Sequence, residues 1–161
     1  MPLSSSRGFE RMKMIAIGSD HGGFELKEAI KILLKGRGIP FEDLGTNDGN
    51  SVDYPDFGEK VARMVSTGQA EKGVLVCGTG IGMSIVANKF PGVRAALAAD
   101  TYMAKMAKQH NNANILVLGG RVIDDNEASE MVATWLDSEF EGGRHQGRLD
   151  KIAALERELC K

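Results

Sequence analysis

Short apolar runs alternate with amphipathic helical patterns along this 161-residue chain, and no other feature restricts the fold as strongly. The runs that are typical of buried strands cover residues 14–18, 39–44, 74–77, 93–98 and 115–118. The helical patterns cover residues 23–38, 55–66, a short stretch from the glycine loop to about 89, 100–110, 124–140 and 148–159. Strands and helices that alternate at this spacing form parallel sheets. The sequence therefore predicts an α/β fold with a five-stranded parallel sheet and helices on both faces.

The first residues of the chain differ from the rest. Residues 1–12 include a serine-rich stretch and carry no periodic pattern, so we interpret them as a disordered extension or an expression remnant. A single domain is expected to follow over residues 13–161, ending in a C-terminal helix. This length suits one domain with its own hydrophobic core.

Composition argues against several classes of protein. Hydrophobic residues make up 42% of the chain, and the formal net charge of −2 gives no electrostatic footprint for nucleic acid. No apolar run approaches the roughly 20 residues of a membrane span. The two cysteines, Cys77 and Cys160, are far apart and match no metal-ligand spacing. We therefore expect a cytoplasmic protein without a disulfide scaffold.

Residues capable of chemistry follow three of the predicted strands directly. SDHGG at 19–23 follows the first strand, CGTGIG at 77–82 the third, and GGR at 119–121 the fifth. Ligands of open parallel sheets bind outside the carboxyl ends of the strands. The sequence therefore predicts a site at this edge of the sheet, formed by these three segments.

The CGTGIG loop is rich in glycine, which permits positive φ and close approach of the backbone to a ligand. Successive N–H groups ahead of a helix can form an anion-binding nest. The spacing matches neither the dinucleotide and P-loop motifs nor the serine elbow of hydrolases, so those functions are poorly supported. The structural alternative is a tight turn between a strand and a helix.

Cys77 also has two interpretations. A free cysteine is often a small buried core residue, and we interpret Cys160 in that way. The last residue of a strand beside a helix N-terminus can instead be a reactive, partly exposed thiol. Near the first strand, Asp20 could cap a helix and His21 could be structural, but their place at the sheet edge favours a site.

Later in the chain, His110 shares the apolar face of its helix. Packing at the helix C-terminus and a role as general acid or base are evenly matched for this residue. Asn111 beside it could hydrogen-bond a polyol hydroxyl. Arg144 and Arg148 are four residues apart, which suits either a solvated basic face or a clamp on a phosphate.

Five segments occur in a specific order: GSDHGG, DYPD at 53–56, CGTGIGMS, HNNAN followed by ILVLGGRV, and GGRHQGRLDKI. Together they resemble the sugar-phosphate isomerase family of type B ribose-5-phosphate isomerase, which also holds allose-6-phosphate and galactose-6-phosphate isomerase subunits. The resemblance covers roughly residues 13–152. It implies a Rossmann-like three-layer sandwich and a homodimer or dimer of dimers with shared active sites. It also implies an aldose–ketose isomerisation of a phosphorylated sugar without cofactor or metal.

The resemblance further implies roles for individual residues. Cys77 matches the base that moves the C2 proton, and His110 matches the acid that opens the sugar ring. Thr79 is a candidate for relaying protons between the two oxygens of the enediolate. Arginines bind the phosphate together with His21. The substrate ligands implied are Asp20, His21, Tyr54, Gly78, Thr79, Gly80, Ile81, Gly82, Asn111, Arg121, Arg144 and Arg148.

One branch of the family uses a glutamate as base just after the last glycine of the loop. Met83 stands there and cannot accept a proton, so this chain resembles the thiol branch. The resemblance leaves two alternatives open: a hexose-6-phosphate isomerase of the allose type, and a non-catalytic module that binds a nucleotide or a phosphosugar on the same fold. A flavodoxin-like redox protein is disfavoured because aromatic residues make up only 6% of the chain.

Overall fold

A computed structural model describes residues 14–159, so the expectations for residues 1–12 and for Cys160 lie outside it. Its parallel strands are β1 (Ile15–Ser19), β2 (Phe41–Asp43), β3 (Lys72–Cys77), β4 (Ala95–Leu97) and β5 (Ile115–Gly119). They form one sheet in the order β2-β1-β3-β5-β4, in which every neighbouring pair is parallel. The predicted five-stranded parallel sheet is therefore confirmed.

The helices are α1 (Phe24–Gly36), α2 (Tyr54–Ser66), α3 (Ile81–Ala87), α4 (Thr101–Gln109), α5 (Asp125–Asp137) and α6 (Arg144–Leu159). A short 3₁₀ turn, His21–Gly23, precedes α1. Asp100 caps the N-terminus of α4, since its carboxylate accepts a hydrogen bond of 2.7 Å from the Met103 amide. Among residues 14–159, no helix is both long enough and apolar enough to cross a membrane.

The bounds predicted for β2, β4, α5 and α6 were wrong. Strands β2 and β4 are only three residues long, because they form the two edges of the sheet and each pairs with a single neighbour. Helix α5 ends at Asp137, since the next residue adopts an extended backbone with ψ of 152°. Helix α6 begins at Arg144, four residues earlier than expected, directly after Gly142 and Gly143, which both adopt a positive φ.

The sheet separates two layers of helices, as the predicted sandwich requires. Along β3, Val74 and Val76 face a core shared with α1, α4 and α5, whereas Leu75 and Cys77 face a core shared with α2 and α3. This alternation follows from the period of two in a β-strand. It places the Cys77 side chain in the layer of α2 and α3, at the carboxyl end of the central strand.

A buried ionic network fixes the carboxyl end of β1. Lys27 of α1 is fully buried, and its ammonium lies 2.7 Å from the Asp43 carboxylate, which Lys31 also contacts at 2.8 Å. Burial acts to raise the pKa of Asp43, but hydrogen bonds from the two lysines outweigh it and lower that pKa. The other Asp43 oxygen accepts from the Gly45 amide, and the Gly45 carbonyl accepts from the Ser19 amide at 2.6 Å. The loop after β2 is thereby held against the first site segment.

Candidate active site

The three segments predicted to form a site meet at the carboxyl edge of the sheet. The Gly120 amide donates to the Cys77 carbonyl at 2.8 Å, and the Arg121 amide donates to the Gly78 carbonyl at 2.9 Å. The first segment packs equally closely, since a methyl group added at Gly22 would lie 3.1 Å from the Gly78 nitrogen. The structure thus brings these three loops into one continuous surface.

Cys77 is buried, and it also contacts the glycine loop. The residue is only 5% exposed and packs in the α2–α3 core, as a core filler would. Its sulfur also accepts a hydrogen bond of 3.1 Å from the Gly80 amide. Gly80 adopts φ of +82°, and an added methyl group would lie 2.5 Å from a Leu97 side-chain carbon, so this position favours glycine on two counts. The turn therefore aims an N–H group at the thiol.

Tyr54 forms one wall of the glycine loop. An added methyl group at Gly82 would lie 2.6 Å from carbon atoms of the Tyr54 ring, so the bare Gly82 backbone lets the ring lie against the loop. The tyrosine is the first residue of α2 and is 39% exposed. On the same loop, the exposed Thr79 hydroxyl accepts from the Ile81 amide at 3.2 Å. The contact between the Tyr54 ring and Gly82 is consistent with the expectation that Tyr54 lines the site.

We expect Gly82→Ala to lower kcat/KM for the phosphorylated sugar that the resemblance implies by about 10-fold or more, because displacement of Tyr54 shifts the loop beside Cys77. Steady-state kinetics with that sugar measures the effect. Gly36→Ala is a matched control, since a methyl group there meets nothing within 4 Å. Equal kinetic constants for the Gly82→Ala variant and the control would contradict the role of this contact.

Asp20 and His21 have distinct surroundings. Asp20 is buried and caps the 3₁₀ turn, with one carboxylate oxygen accepting from the Gly23 amide at 3.1 Å. His21 is half-buried, and its Nδ1 accepts from the Val52 amide at 3.2 Å. That bond leaves Nε2 as the donor nitrogen of the neutral ring. His21 and Arg121 line a cavity of about 390 Å³ together with Glu25 and Asp125.

The remaining predicted ligands lie elsewhere on the molecule. His110 follows the last residue of α4, which starts after the carboxyl end of β4 and returns over the sheet toward the start of β5. This helix has nine residues, which corresponds to a length of about 13 Å. His110 and Asn111 therefore lie toward the amino ends of the strands, away from Cys77. The structure does not unite them with the glycine loop within one chain.

Arg144 and Arg148 belong to the His110 side of the molecule. Both are exposed on the first turns of α6. The segment before this helix is fixed to the end of α4, because the Glu141 amide donates to the Gln109 carbonyl at 3.0 Å. The predicted site residues thus form two groups, one at each end of the sheet.

His145 is a feature that the sequence analysis missed. Its ring is buried and stacks on the His110 ring, with centroids 4.2 Å apart and planes inclined by 13°. Glu141 lies 3.5 Å from His145 Nε2 and 3.9 Å from His110 Nε2. Burial lowers the pKa of His145, and His110 and Arg144 lower it further. The signal available in the sequence was the histidine between the two arginines of GGRHQGR.

His110, Glu141 and His145 are close enough together to be considered as metal ligands. The two imidazole planes are nearly parallel, however, and the lone pairs of ring nitrogens lie in those planes. The lone pairs of the two rings therefore do not point at one position, whereas the ligand atoms of a tetrahedral zinc ion do. The arrangement suits a stacked, neutral His145 that supports the His110 ring.

Comparison with known proteins identifies the class to which this fold and site belong. A sequence model of the Ribose/Galactose Isomerase family matches residues 15–152. This chain belongs to that family. The putative sugar phosphate isomerase YwlF of Bacillus subtilis is 50% identical over 88% of this chain and 96% of its own. Ribose-5-phosphate isomerase B of Escherichia coli is 45% identical over 90% of this chain and 97% of its own.

Solved structures give the same result. The ribose-5-phosphate isomerase B of Clostridium thermocellum superposes with a TM-score of 0.88 at 52% identity, covering 90% of this chain and 98% of its own. The enzyme of Mycoplasma genitalium, with bound ribulose-5-phosphate, superposes with a TM-score of 0.87 at 44% identity, covering 90% of this chain and 97% of its own. The resemblance drawn from the five ordered segments is therefore confirmed.

Proposed function

We propose that this chain is an aldose–ketose isomerase that interconverts ribose 5-phosphate and ribulose 5-phosphate. The observation that carries the proposal is the thiol of Cys77 at the end of the central strand, with the Gly80 amide directed at its sulfur. Membership of the Ribose/Galactose Isomerase family supports it, as do relatives named ribose-5-phosphate isomerase B. We also infer a reducing compartment such as the cytoplasm, because a thiol base acts only when reduced.

The proposed proton transfer uses Cys77 and the glycine loop that follows it. A Cys77 thiolate removes the proton from C2 of the open-chain aldose, and negative charge develops on the carbonyl oxygen at C1. N–H groups of residues 78–82 stabilise the enediolate, with a contribution of about 3 kcal/mol for one such donor. The proton returns to C1, while the Thr79 hydroxyl passes a second proton from the C2 oxygen to the C1 oxygen. The product is the ketose.

The phosphate is bound separately from the reacting carbons. His21 and Arg121 of the same chain face one cavity at the carboxyl edge, and they supply donors for one side of the phosphate. Arg144 and Arg148 supply donors for the other side of the phosphate. Anchoring at this end orients the sugar, with Asp20, Tyr54 and Asn111 along its length, so that C2 lies beside Cys77.

We propose that a second copy of the chain completes the site in a homodimer, which can pair further into a dimer of dimers. The two groups of predicted ligands lie at opposite ends of the sheet, so one chain cannot offer Cys77 and His110 to the same sugar. Apolar side chains are exposed beside the glycine loop, with Ile81 54% and Ile85 57% exposed on α3. Such a patch suits an interface that would bring the partner's His110 to the loop.

We expect two variants that interconvert cyclic ribose 5-phosphate and ribulose 5-phosphate poorly to restore this conversion when mixed. In a heterodimer of Cys77→Ala and His110→Ala, one shared site loses both residues and the other keeps both. Random exchange of subunits then yields about a quarter of the unsubstituted number of intact sites. Activity is measured after the variants are mixed, partly unfolded and refolded, with each variant alone as control. No recovery in a mixture shown by mass to contain heterodimers would contradict a shared site.

A hexose-6-phosphate isomerase of the allose type is the second candidate, supported by the breadth of the matched family. The ratio of kcat/KM for ribose 5-phosphate to kcat/KM for allose 6-phosphate separates the two. We expect this ratio to be about 10 or more. A ratio below one would assign the chain to the hexose reaction.

A further inference from the structure

The five-residue segment HNNAN at 110–114 joins α4 to β5. Some of its polar side chains are proposed to contact the substrate, and others form hydrogen bonds within the chain. The proposed function places His110 and Asn111 at the substrate. Asn114 instead bonds within the chain, since its carboxamide oxygen accepts from the Arg94 amide at 2.8 Å and its nitrogen donates to the Gly92 carbonyl at 2.9 Å. The second half of the segment is therefore an anchor for the first.

Asn112 is the point at which the chain turns. Its φ is +44°, and it is the one non-glycine residue between 14 and 159 with a positive φ. The left-handed conformation costs an L-residue about 1–2 kcal/mol, and asparagine is among the residues that tolerate it best. Interactions with neighbouring residues are needed to hold the backbone there.

Three hydrogen bonds hold Asn112. The Lys108 ammonium donates to its side-chain oxygen at 2.8 Å, and the Arg94 Nε donates to its carbonyl at 3.0 Å. Its own amide donates to the Lys108 carbonyl at 3.1 Å. Both cationic side chains are half-buried, so they are fixed by packing as well as by these bonds. The direction of the chain immediately after His110 and Asn111 thus depends on these contacts.

We propose that Arg94, Lys108 and Asn112 are positioning residues, which orient His110 and Asn111 toward the substrate. This inference rests on the proposed function. It implies that opening and closing of the sugar ring depend on the corner formed by these three residues. Proton transfer at Cys77 depends on the corner much less, because Cys77 and the glycine loop of the same chain lie at the other end of the sheet and take no part in the corner. The three side chains act through His110 and Asn111, without touching the substrate.

Ribulose 5-phosphate in deuterium oxide separates the two steps. Its C5 oxygen carries the phosphate, so this ketose cannot close a five-membered ring. Deuterium enters its C1 position whenever Cys77 removes and returns a proton, whereas cyclic ribose 5-phosphate forms only after ring closure. NMR of the recovered sugars gives both rates. Their ratio, deuterium exchange over formation of cyclic ribose 5-phosphate, reports on positioning and is insensitive to a general loss of folded protein.

We expect Lys108→Met and Asn112→Ala to raise this ratio by about 10-fold, because a displaced His110 closes the ring poorly. Lys105→Met is the matched control, since Lys105 is exposed on the same helix, and it should leave the ratio unchanged. Asn112→Asp keeps the oxygen that accepts from Lys108 and should restore the unsubstituted ratio. Asn112→Gly adopts the turn without strain, so it folds, but it lacks the side-chain bond and should also raise the ratio.

The outcomes distinguish this inference from the function on which it rests. Equal losses of exchange and ring closure in Lys108→Met and Asn112→Gly would overturn the positioning role, while the isomerase assignment would stand. Neither exchange nor conversion by the unsubstituted chain would contradict the proposed function, and the positioning role would fall with it. A raised ratio in His110→Ala alone, without any change in the corner variants, would assign ring closure to His110 without help from the corner.

Discussion

Replacement of Cys77 with alanine is expected to lower kcat for ribose 5-phosphate by about 10³-fold or more, since a positioned general base contributes up to about 10⁴-fold. The same variant should lose deuterium exchange at C1 of ribulose 5-phosphate, because both reactions need a group that accepts the carbon-bound proton. Met83, at the position where a glutamate base would stand, offers no substitute. Steady-state assays and NMR in deuterium oxide measure the two rates on one sample.

Two comparisons make this result specific. Cys160→Ala removes the other cysteine of the chain and should keep both rates. Cys77→Ser keeps an acceptor near the Gly80 amide but supplies a much weaker base, so it should resemble the alanine variant. A Cys77→Ala protein that still exchanges the C1 hydrogen would show that another group is the base.

Replacement of His110 with alanine is expected to have the second-largest effect, with a different pattern. Formation of cyclic ribose 5-phosphate from ribulose 5-phosphate should fall by about 10²-fold, because His110 supplies the proton transfer of ring closure. Deuterium exchange at C1 should change little, since Cys77 acts on the open-chain sugar. The two rates are followed by NMR, with Lys105→Met as the control on the same helix.

The His110 result also bears on the stacked ring of His145. A neutral His145 holds the His110 ring through stacking, at a centroid distance of 4.2 Å. His145→Ala should therefore raise the ratio of exchange to ring closure in the same direction as His110→Ala, by a smaller factor. An equal loss of exchange and ring closure in His110→Ala would reject the role of His110 in ring closure.

Much of the fold could be predicted because it depends on local patterns. The apolar run at 74–77 is a property of neighbouring residues, and the structure confirms the strand there, which covers Lys72–Cys77. The edge strands β2 and β4 were predicted too long, because pairing with a single neighbour is a tertiary property that apolar runs do not reveal.

The site was predictable only where it follows from the parallel sheet. The loops after β1, β3 and β5 meet because the carboxyl ends of parallel strands lie at one edge. The contact between His110 and His145 depends on where α6 packs, which no periodicity encodes. Likewise, the opposite location of His110 and Cys77 follows from the return of α4 over the sheet. The roles of these residues remain predictions.

The central claim is that this chain isomerises ribose 5-phosphate with its own side chains. The most direct test adds the purified full chain to ribose 5-phosphate in the presence of a chelator and follows ribulose 5-phosphate by NMR. We predict conversion to the equilibrium mixture at a rate that the chelator does not change. Tight binding of ribose 5-phosphate without any conversion would contradict the claim and would identify a phosphosugar-binding module instead.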